Sequence, residues 1–92
     1  MVRRLPRRIH LGPYTIEVAL ASQAVLRDVM ESEDGAYDGA WESLLGEEEK
    51  IAGRIYIHDK LPRAHKWRVF FHELIHAIND IAGHDGAVSL VL

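Results

Sequence analysis

Cysteine is absent from this chain of 92 residues. That excludes disulfides as a supplement to a small core, and it excludes thiolate ligands, so a bound metal has to be held by His, Asp or Glu. The same absence fits a reducing compartment, and the expected location is cytoplasmic. Long apolar runs are also missing: no stretch approaches the roughly 20 apolar residues needed to cross a bilayer. The basic start, Met1-Val2-Arg3-Arg4-Leu5-Pro6-Arg7-Arg8, leads into an alternating segment that carries Glu17, not into the uninterrupted apolar stretch of a signal peptide.

Aromatic residues are few, at 8%, and form no visible stacking platform, and the net charge is -3. Both argue against nucleic acid as a partner. Charge is nonetheless segregated. Arg3, Arg4, Arg7 and Arg8 cluster at one end, whereas residues 28–49 hold nine acids and neither Lys nor Arg. The arginines read as a solvated tail or as charges guarding a strand edge.

What is present describes a globular protein. Apolar residues make up 48% and charged residues 27%, and the length suits one compact domain, 1–92, with a modest core. Ile9 and Leu11 alternate before Gly12-Pro13, and Tyr14, Ile16, Val18 and Leu20 alternate after it, which predicts a hairpin over residues 8–21. Ser22 is placed to cap a short helix with Ala24, Val25, Val29 and Met30 on one face, ending near Glu31 to Gly35. The segment around Trp41 is read as a strand, and Arg54-Ile55-Tyr56-Ile57-His58 as its partner, with Ile55 and Ile57 facing the core.

From Pro62 to about Ala82, Trp67, Phe70, Phe71, Leu74, Ile78, Ile81 and Ala82 recur at steps of three and four, the pattern of an amphipathic helix. Pro62 suits its first turn and Gly83 its stop. Inside it lies His72-Glu73-Leu74-Ile75-His76. At about 100° per residue from His72, the apolar stripe centres near 200° to 220°, His76 falls near 40°, and Glu73 near 100°. The two imidazoles therefore share a face away from the stripe and can reach one ion, while Glu73 borders that face as a general base for a water. A His-Glu-x-x-His string arises in roughly 3% of shuffled versions of this composition, so its placement in the best-marked helix is what gives it weight. The plainer reading makes both histidines ordinary polar-face residues.

With Arg54-Ile55-Tyr56-Ile57-His58 followed by Phe70-Phe71-His72-Glu73-Leu74-Ile75-His76-Ala77-Ile78-Asn79-Asp80, the chain resembles the zincin metallopeptidases, in particular the small phage-associated and ImmA/IrrE-type members. The resemblance covers about a third of the chain closely. It implies an α+β fold in which a small antiparallel sheet packs on a long active-site helix, with one shorter helix and one sheet edge bordering a substrate cleft. It implies a Zn2+-dependent hydrolase acting on a peptide or protein.

A zincin site needs a third protein ligand. The metzincin pattern would place Gly at position 79 and His at position 82, where this chain has Asn79 and Ala82, and no glutamate follows Glu73 for the gluzincin pattern. If the chain turns back after Gly83, His84 is the preferred third ligand, with Asp85 next. His58, His65, a residue of another subunit or no third ligand are the further options. Asp80 suits a hydrogen bond to the far nitrogen of His76, and Tyr56 is a candidate oxyanion donor. The segment Ala87-Val88-Ser89-Leu90-Val91-Leu92 reads as a final strand or turn. Two rival functions stand beside the hydrolase: a catalytically silent metal-binding or interaction module, and an adaptor that docks a basic partner through residues 28–49.

Overall fold

The computed structural model describes residues 4–47 and 51–85, with no side-chain description for Asp85. The expected final strand or turn at 87–92 lies outside the described residues. The first hairpin forms as the alternation predicts: β1 (Arg8–Leu11) pairs antiparallel with β2 (Tyr14–Ala21) around Gly12, whose φ of 58° is a left-handed conformation that glycine adopts without strain. Ser22 caps α1 (Gln23–Val29), its hydroxyl accepting from the Val25 N–H at 3.3 Å. The expected apolar face of that helix is turned, however. Leu26 is fully buried with Val29 beside it, while Val25 and Met30 are exposed. Seven residues are too few for periodicity to fix a face, and Leu26 is the longest apolar side chain able to reach Ala21 and Ala40.

Beyond the turn, β3 (Gly39–Ser43) pairs antiparallel with β4 (Ile51–His58). The expected antiparallel sheet needs correction at its centre, because the order β1-β2-β4-β3 joins the two hairpins through a parallel β2·β4 pair. Alternation reveals strands and hairpins but not the sense in which non-consecutive strands pair; here β3, running opposite to both, brings the chain back so that β4 runs alongside β2. Ile55 and Ile57 are fully buried, as their spacing predicts.

One sheet face, including Ile16, Ile55 and Ile57, packs on α2 (Arg63–Asp85), and the other carries Ala40 and Tyr56 against α1. On that second face Arg54 donates to Glu17 at 2.9 Å and lies 3.9 Å from Glu42, so one cation on the central strand ties both neighbouring strands. The Glu17 hydrogen bond is the largest cause that holds the Arg54 guanidinium above its usual value, and the Tyr56 hydroxyl adds to it. No helix among the described residues is long and apolar enough to cross a membrane.

Two glycines make opposite predictions. Gly39 sits where β3 meets α2: a Cβ there would lie 2.5 Å from Val69 Cγ1 and 2.8 Å from the Tyr56 carbonyl oxygen. Gly39→Ala is expected to destabilise by about 1 to 3 kcal/mol, as other overpacked sites do, seen as a lower Tm. Gly83 lies within α2 with nothing within 4 Å of its Cβ position. Gly83→Ala should therefore raise stability by about 0.5 to 1 kcal/mol. A fall would show that the helix ends there.

Candidate metal centre

The helix spacing that defines the motif brings the two rings together. His72 Nε2 and His76 Nε2 lie 3.2 Å apart, with ring centroids 4.8 Å apart and planes at 80°. The separation tests the fit to an ion directly. Two nitrogens 3.2 Å apart, each about 2.0 to 2.1 Å from one zinc ion, subtend an angle of about 100°, close to tetrahedral. Without an ion the same distance is that of an N–H···N hydrogen bond, one ring donating to the lone pair of the other. Both side chains are exposed, so a soluble ion can reach them.

Glu73 differs from its neighbours in burial. It is 8% exposed and is the one buried charged residue among the described residues. The expected helix stripe explains only part of this. The buried face of α2 is Val69, Phe70, Glu73, Ala77 and Ile81, turned toward Glu73 from the centre that the apolar pattern indicates. Phe71, counted in the apolar stripe, is 54% exposed, and Ile75, outside that stripe, is 59% exposed. Burial pushes the Glu73 carboxyl above its usual value, and His72 and His76 pull it partly back.

The edge strand encloses the cleft. Gly39 at the start of β3 runs against Val69 and Glu73, and Trp41 Nε1, two residues on, donates to Asp80 Oδ2 at 3.0 Å. Between them lies a cavity of about 750 Å³ whose walls include Trp41, His72, Glu73, His76 and Asn79. The indole can cross the sheet because Gly53 on β4 has no side chain beneath it; a Cβ there would collide with the ring. A second cavity of about 360 Å³ continues past Glu73 toward Asp38 and Arg68.

The other expected participants are elsewhere. The helix passes through Gly83 to Asp85 instead of stopping, so the chain does not turn back and His84 stands about 12 Å along the axis beyond His76. The structure therefore does not bring His84 to the pair. Asp85 is one residue farther along the same helix. His65 Nε2 lies 3.3 Å from Asp38 Oδ2, and His58 Nε2 lies 3.8 Å from Asp59. Among the described residues, no group of three or more His, Asp or Glu side chains is placed to hold an ion. Asp80 bonds to Trp41 as described, where the expectation had it serving His76. Tyr56 is corrected as an oxyanion donor: it packs on the α1 face and donates to Glu42 at 3.1 Å, away from the histidines.

Arg68, Trp41 and Gly39 went unread in the sequence as site residues. Arg68 had a signal, lying four residues before His72 and so one turn up the same side of the helix. Gly39 and Trp41 had none, since only the pairing of β3 with β4 brings them to the helix. No family model matches this chain, and neither the curated proteins nor the solved structures hold a significant match to it.

Burial of Glu73 makes a prediction for the metal-free protein. Its folded pKa is raised, so its contribution to stability is present below the unfolded value near 4.5 and is lost as pH rises through the folded pKa. Glu73→Gln should raise Tm at pH 7 relative to the parent in chelator, and the difference should shrink as the pH approaches about 4. A difference independent of pH would contradict a burial-strained carboxyl.

Proposed function

We propose that the cleft between β3 and α2 is the site of a Zn2+-dependent peptidase, with His72 and His76 holding the ion and Glu73 acting as general base. The observation that carries this reading is the 3.2 Å Nε2···Nε2 separation beside a buried carboxyl. Two ring nitrogens on one turn suit a divalent ion with affinity for imidazole, and a non-catalytic site has no use for a buried Glu at the intervening position.

When bound, zinc supplies Lewis-acid polarisation of a carbonyl and favours ionisation of water. The residues of the chain do the rest. Glu73, its carboxyl raised above its usual value by burial, accepts a proton from the attacking water and can pass it to the leaving amine. Its burial keeps it beside the ligands without competing for the ion. Arg68, in the adjoining cavity with His72 and Glu73, supplies a fixed positive charge for a developing oxyanion or for a substrate carboxylate.

The substrate class follows from the sheet. β3 is the terminal strand of the order β1-β2-β4-β3, so one of its sides is turned away from β4 along the wall of the cleft. An extended peptide can add to that side through main-chain hydrogen bonds and lie across His72 and His76. A cleft of about 750 Å³ admits a few residues of such a strand.

Two measurements on protein made without a histidine tag test the reading. Metal analysis should find zinc in the parent protein and a loss of it in His72→Ala. Glu73→Gln should retain zinc yet lose peptide hydrolysis by at least about 100-fold, the usual scale for a general base. Hydrolysis undiminished in Glu73→Gln would remove the base from the account, and absence of zinc from every preparation would remove the metal site.

A further inference from the structure

The segment carrying Arg4, Arg7 and Arg8, read from sequence as part of a solvated tail or edge guard, is tied to the sheet. The Val18 N–H donates to the Arg7 carbonyl at 2.9 Å, beyond the β1 ladder, and Leu5 packs against the main core. This places Arg4, Arg7 and Arg8 in the lining of a cavity of about 730 Å³, together with Arg63 and Lys66 of the first turn of α2 and Arg54 of β4. Among the described residues the lining has six cations and one carboxylate, Glu17. That carboxylate is already engaged, by Arg54 at 2.9 Å and by Arg8 at 4.0 Å.

Such crowding is unfavourable without an anion. Like charges in a shared concavity raise one another's energy, and Lys66 adds its charge at the helix end whose dipole is already positive. The chain as a whole carries a net charge of -3, so the positive potential is local to this cavity. Leu5, Val18 and Leu20 supply an apolar wall, and Leu20 is 56% exposed there.

We propose that this cavity binds a small ligand that joins two or more phosphates to an apolar or planar group, of the size and chemistry of a nucleoside di- or triphosphate. The volume falls in the range of small-molecule pockets, about 300 to 1,000 Å³. Arginine forks match phosphate oxygens in pairs, and clustered phosphates bring more negative charge into so small a space than a strand of carboxylates can. A nucleic acid is disfavoured because the nine acids of residues 28–49 repel a long polyanion. The cavity shares no lining residue with the cleft at His72 and His76 and faces the β1 side of the sheet, whereas the cleft faces the β3 side. The inference stands independently of the peptidase reading.

The test is calorimetric titration in chelator of protein carrying His72→Ala and His76→Ala, so that phosphate cannot bind through a metal. Adenosine triphosphate and inorganic tripolyphosphate should both bind saturably at millimolar concentration or below, the nucleotide more tightly, with affinity falling as salt rises; adenosine alone should not bind. Arg63→Ala with Lys66→Ala, and separately Arg7→Ala, should each weaken nucleotide binding by about tenfold or more with an unchanged circular dichroism spectrum. Lys60→Ala, which removes a cation outside the cavity, should leave it within about twofold, the scale of a screened surface charge. The proposal is overturned by any of three results: no saturable binding, binding indifferent to the cavity substitutions, or polyglutamate or a single-stranded oligonucleotide binding where the nucleotide does not.

Discussion

The close approach of β3 to α2 at Gly39 is the constraint on which the site depends. Because that residue has no side chain, the strand can lie against Val69 and Glu73, and the helix turns its Glu73 side inward. Glu73 is thereby taken out of water while His72 and His76, on the neighbouring arc of the helix, stay exposed. A carboxyl moved from water without a compensating partner shifts toward its neutral form. The cost is local, and it falls at the position where a proton acceptor is useful. The Trp41–Asp80 hydrogen bond holds the far end of the same strand, so the cleft is pinned on both sides of the histidines.

Much of the fold was legible because its local signals are strong. Alternation around Gly12, the Ser22 cap and the buried pair Ile55 and Ile57 need no tertiary information, and each forms as read. The parallel pairing of β2 with β4 was not legible, since it depends on how the crossover through α1 packs. The facing of both helices was partly hidden for another reason. In α1 seven residues give too short a pattern, and in α2 the apolar residues cover more of the circumference than the sheet can bury, leaving Phe71 and Ile75 in solvent and drawing a glutamate in.

Of the candidate site, the motif and the facing of its histidines could be read directly, because four-residue spacing fixes their relation in any α-helix. Its surroundings could not. Gly83 has the composition of a helix stop, yet the helix continues through it, and that single difference carries His84 away from the pair. Trp41 and Gly39 lie more than 30 residues before His72 and reach the site only through the pairing of β3 with β4. The arginine cluster illustrates the same limit: its charge was evident, but its capture against β2 by the Arg7 carbonyl and Leu5 was not.

The resulting molecule places two chemistries on opposite sides of one sheet order, a histidine pair with a buried carboxyl beside β3 and a cation-lined cavity beside β1 and β2. The most direct test of the central claim is a crystal structure of the protein soaked with zinc, with anomalous scattering recorded at the zinc edge. The account predicts an anomalous peak within about 2.0 to 2.1 Å of both Nε2 atoms, those of His72 and His76, with the Glu73 carboxylate adjacent but not coordinating. A peak bound to only one of these rings, or bound at other residues with the His72–His76 pair still hydrogen-bonded to each other, would contradict it.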